Sequence, residues 1–250
     1  METVKNIVLA KQANCNSDSV LSYAVQLSDT LKAKLTVGLC YQSDTELAGA
    51  EDLREANPIK DAFQYVKQSY LDSANVDYRL VSCETTSCDR ADETLTIYLP
   101  DLYLMDKSQV EHLYSFIDRI YCPLILLPHQ VEFKPVNHLL VVGDLNEKER
   151  EHTPRHAHNL ATIFSASYEM LDFSDLSESL FNMPASHPEA DLKSFKGPIR
   201  LYPEKLSQMR KPDMLVLMVK DKFFGVMRSF YGPAIELSKR LDFPVMIYKV

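Results

Sequence analysis

The stretch His138-Leu139-Leu140-Val141-Val142-Gly143-Asp144 decides how this chain is read. A run of aliphatic residues closed by Gly-Asp predicts a strand buried on both faces, ending in a tight turn with a carboxylate at its tip. Near the N-terminus, Asn6-Ile7-Val8-Leu9-Ala10 does the same work. The elements after these two stretches also match one for one, so the 250 residues read as one unit written twice.

In the first copy, Lys11 to Ser17 is a polar loop with Ser17 or Asp18 placed to cap a helix. Val20, Leu21, Ala24, Leu27 and Leu31 then recur at helical spacing, and Leu35 to Cys40 is the next strand. Strand, crossover helix and strand make a right-handed parallel unit. After the polar, acidic stretch Glu46 to Pro58, a helix from Ile59 to Ser73 is marked by Ala62, Phe63, Val66, Tyr70 and Leu71. Val76 to Cys83 predicts a strand, and Cys88 to Leu99 a short helix. Asp101 leads into the strand Leu102 to Met105. A helix bearing Val110, Leu113, Tyr114, Ile117 and Tyr121 is broken by Cys122-Pro123, which opens the strand Leu124 to Leu127. This alternation indicates a doubly wound parallel sheet.

Pro128 to Pro135 is a polar link, and the plan then repeats. Leu139 to Val142 echoes Ile7 to Ala10, and the helix from Pro154 with Ala157, Leu160, Ala161 and Phe164 echoes the first helix. Tyr168 to Phe173 answers Leu35 to Cys40, and Ile199 to Tyr202 answers Tyr78 to Val81. Pro212-Asp213 before Met214 to Val219 answers Pro100-Asp101 before Leu102 to Met105. A helix with Phe230, Leu237 and Leu241 ends at Phe243-Pro244, and Val245 to Tyr248 is the last strand. A period of about 130 residues is a domain duplication and not a solenoid.

Composition narrows the function classes. A net charge of −8 with no Lys/Arg-rich run argues against a nucleic-acid partner. The apolar runs are far shorter than the roughly 20 residues that span a bilayer, which argues against a membrane. Met1 to Lys5 runs straight into a strand, with no leader expected. Five cysteines without framework spacing suit a reducing compartment, so the expected location is cytoplasmic.

The order of these landmarks resembles the universal stress protein family, here as a tandem pair covering nearly the whole chain. The resemblance rests on the apolar first strand and its helix, the Pro-Asp before the fourth strand, and the Cys-Pro or Phe-Pro before the fifth. It implies two tandem doubly wound, five-stranded, mostly parallel α/β sheets of the adenine nucleotide alpha hydrolase-like kind, related by a pseudo-twofold axis. The domains are then 1–130 and 136–250. Family members pair as dimers, so a tandem chain is expected to form that pair internally through Leu124 to Leu127 and Val245 to Tyr248. A further homodimer stays open.

Many members bind ATP, and the resemblance says where to look. An Asp at the end of the first strand contacts the adenosine, and a stretch of the form Gly-x2-Gly-x9-Gly-Ser/Thr after the fourth strand holds the phosphates. Glycines let the backbone approach, and N–H groups at a helix start face the negative charge. In the first copy the Asp position falls on Gln12, and Asp106, Lys107 and Ser108 open a shortened, glycine-free loop. Asp106 there would repel phosphate. In the second copy Asp144 falls on the adenosine position with Gly143 before it, and the loop from Val219 to Pro244 keeps its length. Val219 and Lys222 stand where the first two glycines belong, Gly225 is out of register, and Gly232 is followed by Pro233. The candidate ligand residues are therefore Gly143, Asp144, Lys222, Gly225 and Gly232, with Lys220 and Arg228 as further positive charge. ATP is open as a ligand of the second copy but disfavoured by the missing glycines.

Other constellations carry less. Asp144 reads about as well as a carboxylate that caps its own turn. His152 and His156 are spaced i, i+4, yet no third ligand accompanies them and His158 points elsewhere, so solvent-exposed histidines are expected rather than metal. Cys83 and Cys88 fit no redox or zinc spacing, and Cys40 and Cys122 read as small core residues. The methionines Met209, Met214, Met218 and Met227 fit core packing, and Phe223-Phe224 fits either a partner anchor or a buried hinge. No Gly-x-Ser-x-Gly elbow, Walker loop or dinucleotide fingerprint is present. The sequence points to a non-catalytic stress-response or regulatory protein acting through a protein partner or small ligand. The alternative is a nucleotide-binding protein or weak ATPase using the second copy.

Overall fold

The computed structural model describes residues 3–12, 18–41, 58–84, 97–108, 120–143, 152–172, 212–219 and 241–249. In chain order its elements are β1 (Asn6–Gln12), α1 (Asp18–Leu31), β2 (Lys34–Tyr41), α2 (Pro58–Val66), β3 (Tyr78–Glu84), β4 (Leu102–Asp106) and β5 (Leu124–Leu127). The second half supplies β6 (His138–Gly143), α3 (His152–Phe164), β7 (Ser167–Asp172), β8 (Met214–Val219) and β9 (Val245–Lys249). Helix α2 continues through a π-helical turn, Lys67–Leu71, that buries Leu71.

The expected mixed α/β plan is the one observed. The described strands form one nine-stranded sheet in the order β3-β2-β1-β4-β5-β9-β8-β6-β7, joined between β5 and β9, the two strands expected to meet. Every neighbouring pair is parallel except β5 and β9, which run antiparallel with Leu124 opposite Ile247 and Leu126 opposite Val245. The strand expected at Ile199 to Tyr202 lies outside the described residues, as do residues 110–119 and 230–240 of the helices expected before β5 and β9; Tyr121, expected on the apolar side of the first of these, is exposed and outside any helix.

Period-two alternation sorts the strand residues onto two faces. One face carries Ile7, Leu9, Leu35, Val37, Leu104, Ile125, Val141, Val216 and Met246, and on it pack the stripes of α1 (Val20, Leu21, Ala24, Leu27) and α3 (Ala157, Leu160, Ala161). This layer is continuous from one end of the sheet to the other. The opposite face holds two smaller clusters, one around Val8, Tyr103, Leu124 and Leu126, the other around Leu140, Val142, Leu215 and Leu217.

Bonds recur between the halves at the N-terminal ends of the strands. The Asp101 carboxylate accepts the backbone N–H groups of Lys5 and Asn6 at 2.8 and 2.9 Å, and the Asp213 carboxylate accepts those of Asn137 and His138 at 2.9 and 3.0 Å. Each Asp returns its own N–H to the strand it caps, Asp101 to Asn6 O and Asp213 to His138 O. Helices α1 and α3 also end alike. Lys32 and Ser165 sit at φ 52° and 53°. The next N–H groups, of Ala33 and Ala166, reach back to Ser28 O and Ala161 O. This is the left-handed closure usually made with glycine, here made without it.

Candidate functional site

In an open parallel sheet, ligands bind beyond the carboxyl ends of the strands where the chain reverses its direction of travel across the sheet. The strand order places two such points here, at β1 beside β4 and at β6 beside β8. The described chemistry is concentrated at the first.

Strand β1 extends further than its apolar run, taking in Lys11 and Gln12, whose polarity predicts a loop. Both pair with β2, opposite Leu39 and Cys40, and Lys11 is buried. Beside them β4 ends on Asp106, which pairs with Leu127 and is 1% exposed. Its carboxylate is satisfied by local donors, because the chain turns sharply after it. Oδ1 accepts the backbone N–H and the hydroxyl of Ser108, both at 2.8 Å. Oδ2 lies 3.0 Å from Nδ1 of His129, two residues beyond β5. With the carboxylate as acceptor, Nδ1 carries the proton, and the half-exposed ring keeps Nε2 for a partner. Helix α1 starts over this point: the Ser19 hydroxyl donates to His129 O, and the Tyr65 hydroxyl to the Asp18 carboxylate.

Lys107 turns the other way. Its ammonium donates to the carbonyls of Leu241 and Phe243 at 3.0 and 2.9 Å, tying the end of β4 to the segment that leads into β9. Burial disfavours its charge and lowers its pKa to about 8, while Asp242 pulls it back up. Lys249, at the far end of β9, donates to Ile120 O at 2.8 Å. The antiparallel seam therefore has a lysine tie at each end. Asp106 and Lys107, expected in an open loop, are thus buried and bonded within the chain.

At the second point Gly143 is the last residue of β6, in register with Asp172 of β7. The other expected ligand residues, Asp144, Lys222, Gly225 and Gly232, lie outside the described residues, as do Lys220 and Arg228. Of the histidines on α3, His158 is exposed as expected. His156 is instead half-buried against Tyr248, whose hydroxyl lies 3.3 Å from Nδ1 with ring centroids 5.4 Å apart. Among the described residues no group of three or more His, Cys, Asp or Glu side chains is placed to hold a metal.

Cys40 and Cys83 are register partners on β2 and β3, both buried. A hydrogen bond from Cys40 lowers the Cys83 thiol pKa against the opposing effect of burial. Cys122 is half-buried, and burial pushes its thiol up to about 12. Cys88 lies outside the described residues.

The pairing of His129 with Asp106, and the burial of His138 on β6, were not legible in the sequence. The one available signal was that His129 follows a fifth strand closed by Pro128, which returns it to the edge where β4 ends.

No sequence model of a known family matches the chain, and no curated protein does. Solved structures do match along its whole length. A universal stress protein from Archaeoglobus fulgidus DSM 4304 superposes with a TM-score of 0.56 at 9% identity, over 99% of this chain and 97% of that one. A functionally unknown protein from Pseudomonas aeruginosa PAO1 gives 0.58 at 12% identity, over 99% and 93%. A protein from P. aeruginosa UCBPP-PA14, provisionally described as a universal stress protein, gives 0.58 at 11% identity, over 99% and 94%. At these identities the likeness is one of fold, and the fold is that of the universal stress proteins.

Proposed function

We propose that this chain is a tandem universal stress protein, with units 1–130 and 136–250, that serves a cytoplasmic stress response as a non-catalytic regulator acting through a protein partner or small ligand. The likeness in fold over the full length of both chains supports the family, and the recurrence of the Asp101 and Asp213 caps and of both helix closures supports the duplication. The single observation that carries the regulatory reading is the commitment of the charges at the end of β4. Among the described residues, a buried carboxylate stands at this edge and the lysine beside it is already bonded to two carbonyls, which opposes phosphate binding there.

A second reading, nucleotide binding by the second unit, is favoured by Gly143 at the end of β6, where the strand order reverses. A melting-temperature screen of the intact chain against ATP, AMP and cyclic nucleotides separates the two. Ligand at 100 times its Kd adds about 2.7 kcal/mol. A rise abolished by Asp144→Ala establishes the nucleotide reading. No rise at millimolar nucleotide, with a stoichiometric protein captured on the intact chain, supports the partner reading.

A further inference from the structure

A cluster at the opposite end of the sheet belongs to neither crevice. His138 opens β6 and is 3% exposed. Ser167 opens β7 directly opposite it and is exposed, and Glu169 lies two residues further along β7. Ser167 Oγ is 3.0 Å from His138 Nδ1, and His138 Nε2 is 3.6 Å from Glu169 Oε1.

Proton bookkeeping gives this trio a direction. Ser167 Oγ also donates at 3.0 Å to Asn137 O, which takes the Ser167 backbone N–H at 2.9 Å on its other lone pair. Rotation about the Cβ–Oγ bond instead turns the one hydroxyl proton to Nδ1. The neutral ring then carries its own proton on Nε2, a buried atom with no hydrogen-bond partner, and Glu169 is the carboxylate facing it. The order hydroxyl, imidazole, carboxylate is that of a serine nucleophile with its base and orienting acid, with the two ring nitrogens exchanged.

The fold does not ask for these residues. In the first half the same strand pair begins with Asn6 opposite Lys34, and Thr36 stands where Glu169 stands in the second. The backbone bond is kept, Lys34 N–H to Lys5 O matching Ser167 N–H to Asn137 O. A buried imidazole is costly to keep where the matching strand pair manages without one.

We propose that Ser167 is a nucleophile for the acyl group of small activated esters, with His138 as its general base and Glu169 as a positioning residue. Ser167 Oγ bonds to the ester carbonyl carbon as its proton passes to His138 Nδ1. The carbon–oxygen bond to the leaving group then breaks, releasing an alcohol or phenolate, and Glu169 faces the positive charge at Nε2. The N–H groups of Asn137 and His138 are held by Asp213 and do not stabilise an oxyanion. Without these donors both acylation and deacylation are slow, so the step is a single modification of Ser167 and not rapid turnover.

The test is acetylation of the intact chain by p-nitrophenyl acetate, with the modified serines located by mass spectrometry. Ser167 is expected to react on the order of 100-fold faster than the exposed Ser73, with a rate that rises through a single histidine-like inflection in pH. His138→Gln is expected to remove both the excess rate and the inflection. Glu169→Gln, on a half-exposed side chain that the fold tolerates, is expected to lower the Ser167 rate about 10-fold and to move the inflection. Equal labelling of Ser167 and Ser73, or a Ser167 rate that neither substitution changes, overturns the proposal.

Discussion

The two halves of this molecule agree at one end of the sheet and part company at the other. At the N-terminal ends of β1 and β6, Asp101 and Asp213 make the same pair of bonds to the same pair of strand amides. At the C-terminal ends, the first half buries Asp106 and ties down Lys107, whereas the second presents Gly143 at the edge of β6. The lesson concerns where constraint lies. Starting a buried strand leaves amide donors that must be satisfied, which restricts the cap to an acceptor at a fixed place. The carboxyl edge carries no such requirement, so it is free to differ between the halves.

The difference can be sharpened first at the segments before β5 and β9, where Cys122-Pro123 stands against Phe243-Pro244. Burial pushes the Cys122 thiol up to about 12, against an ordinary value of 9.0. At pH 8 the thiolate that reacts is then scarcer by roughly a thousandfold than in a free cysteine. Iodoacetamide labelling with peptide mass spectrometry should leave Cys122 unmodified in the native protein and modify it in urea.

The shared end is broken by Asp101→Ala and Asp213→Ala. Each substitution strands two amides that a carboxylate satisfied, and each should cost about 2–3 kcal/mol in urea unfolding. Equal losses support equivalence of the halves. A loss confined to one would show that the two caps have come to do different work.

The tie made by Lys107 has its own signature in pH. Because burial lowers Lys107 to about 8 from 10.5, the unfolded chain holds a proton between those values that the folded chain has released. Stability from this group therefore rises as pH increases from 8 to 10.5, and it is penalised below 8. The urea midpoint of the native chain, compared at pH 7.5 and 9.5 with that of Lys107→Met, should show a rise that the variant lacks. The smallest effect belongs to the helix closures. Lys32→Gly and Ser165→Gly each relieve a left-handed residue and should stabilise by about 0.5–1 kcal/mol, by similar amounts in the two halves.

Most of the architecture was legible because buried parallel strands are short aliphatic runs. Leu124 to Leu127 and Met214 to Val219 have the bounds that their sequences indicate. Sequence patterning fails where a polar residue completes a strand. Polarity alone puts Lys11 in a loop, yet a long side chain can bury its methylenes while its head finds partners. The site escapes sequence for a different reason. Lys107 meets carbonyls 134 and 136 residues away, and His138 meets Ser167 through strand register, so neither contact leaves a local trace in sequence. Of the residues expected to bind a ligand, only Gly143 falls among those described.

The central claim is that the first crevice is closed to phosphates and that any nucleotide must use the second. Calorimetric titration of the intact chain with Mg-ATP, repeated on Asp144→Ala, tests it most directly. The prediction is at most one nucleotide per chain, with any binding lost in Asp144→Ala. Two nucleotides per chain, or binding that survives Asp144→Ala, would contradict it.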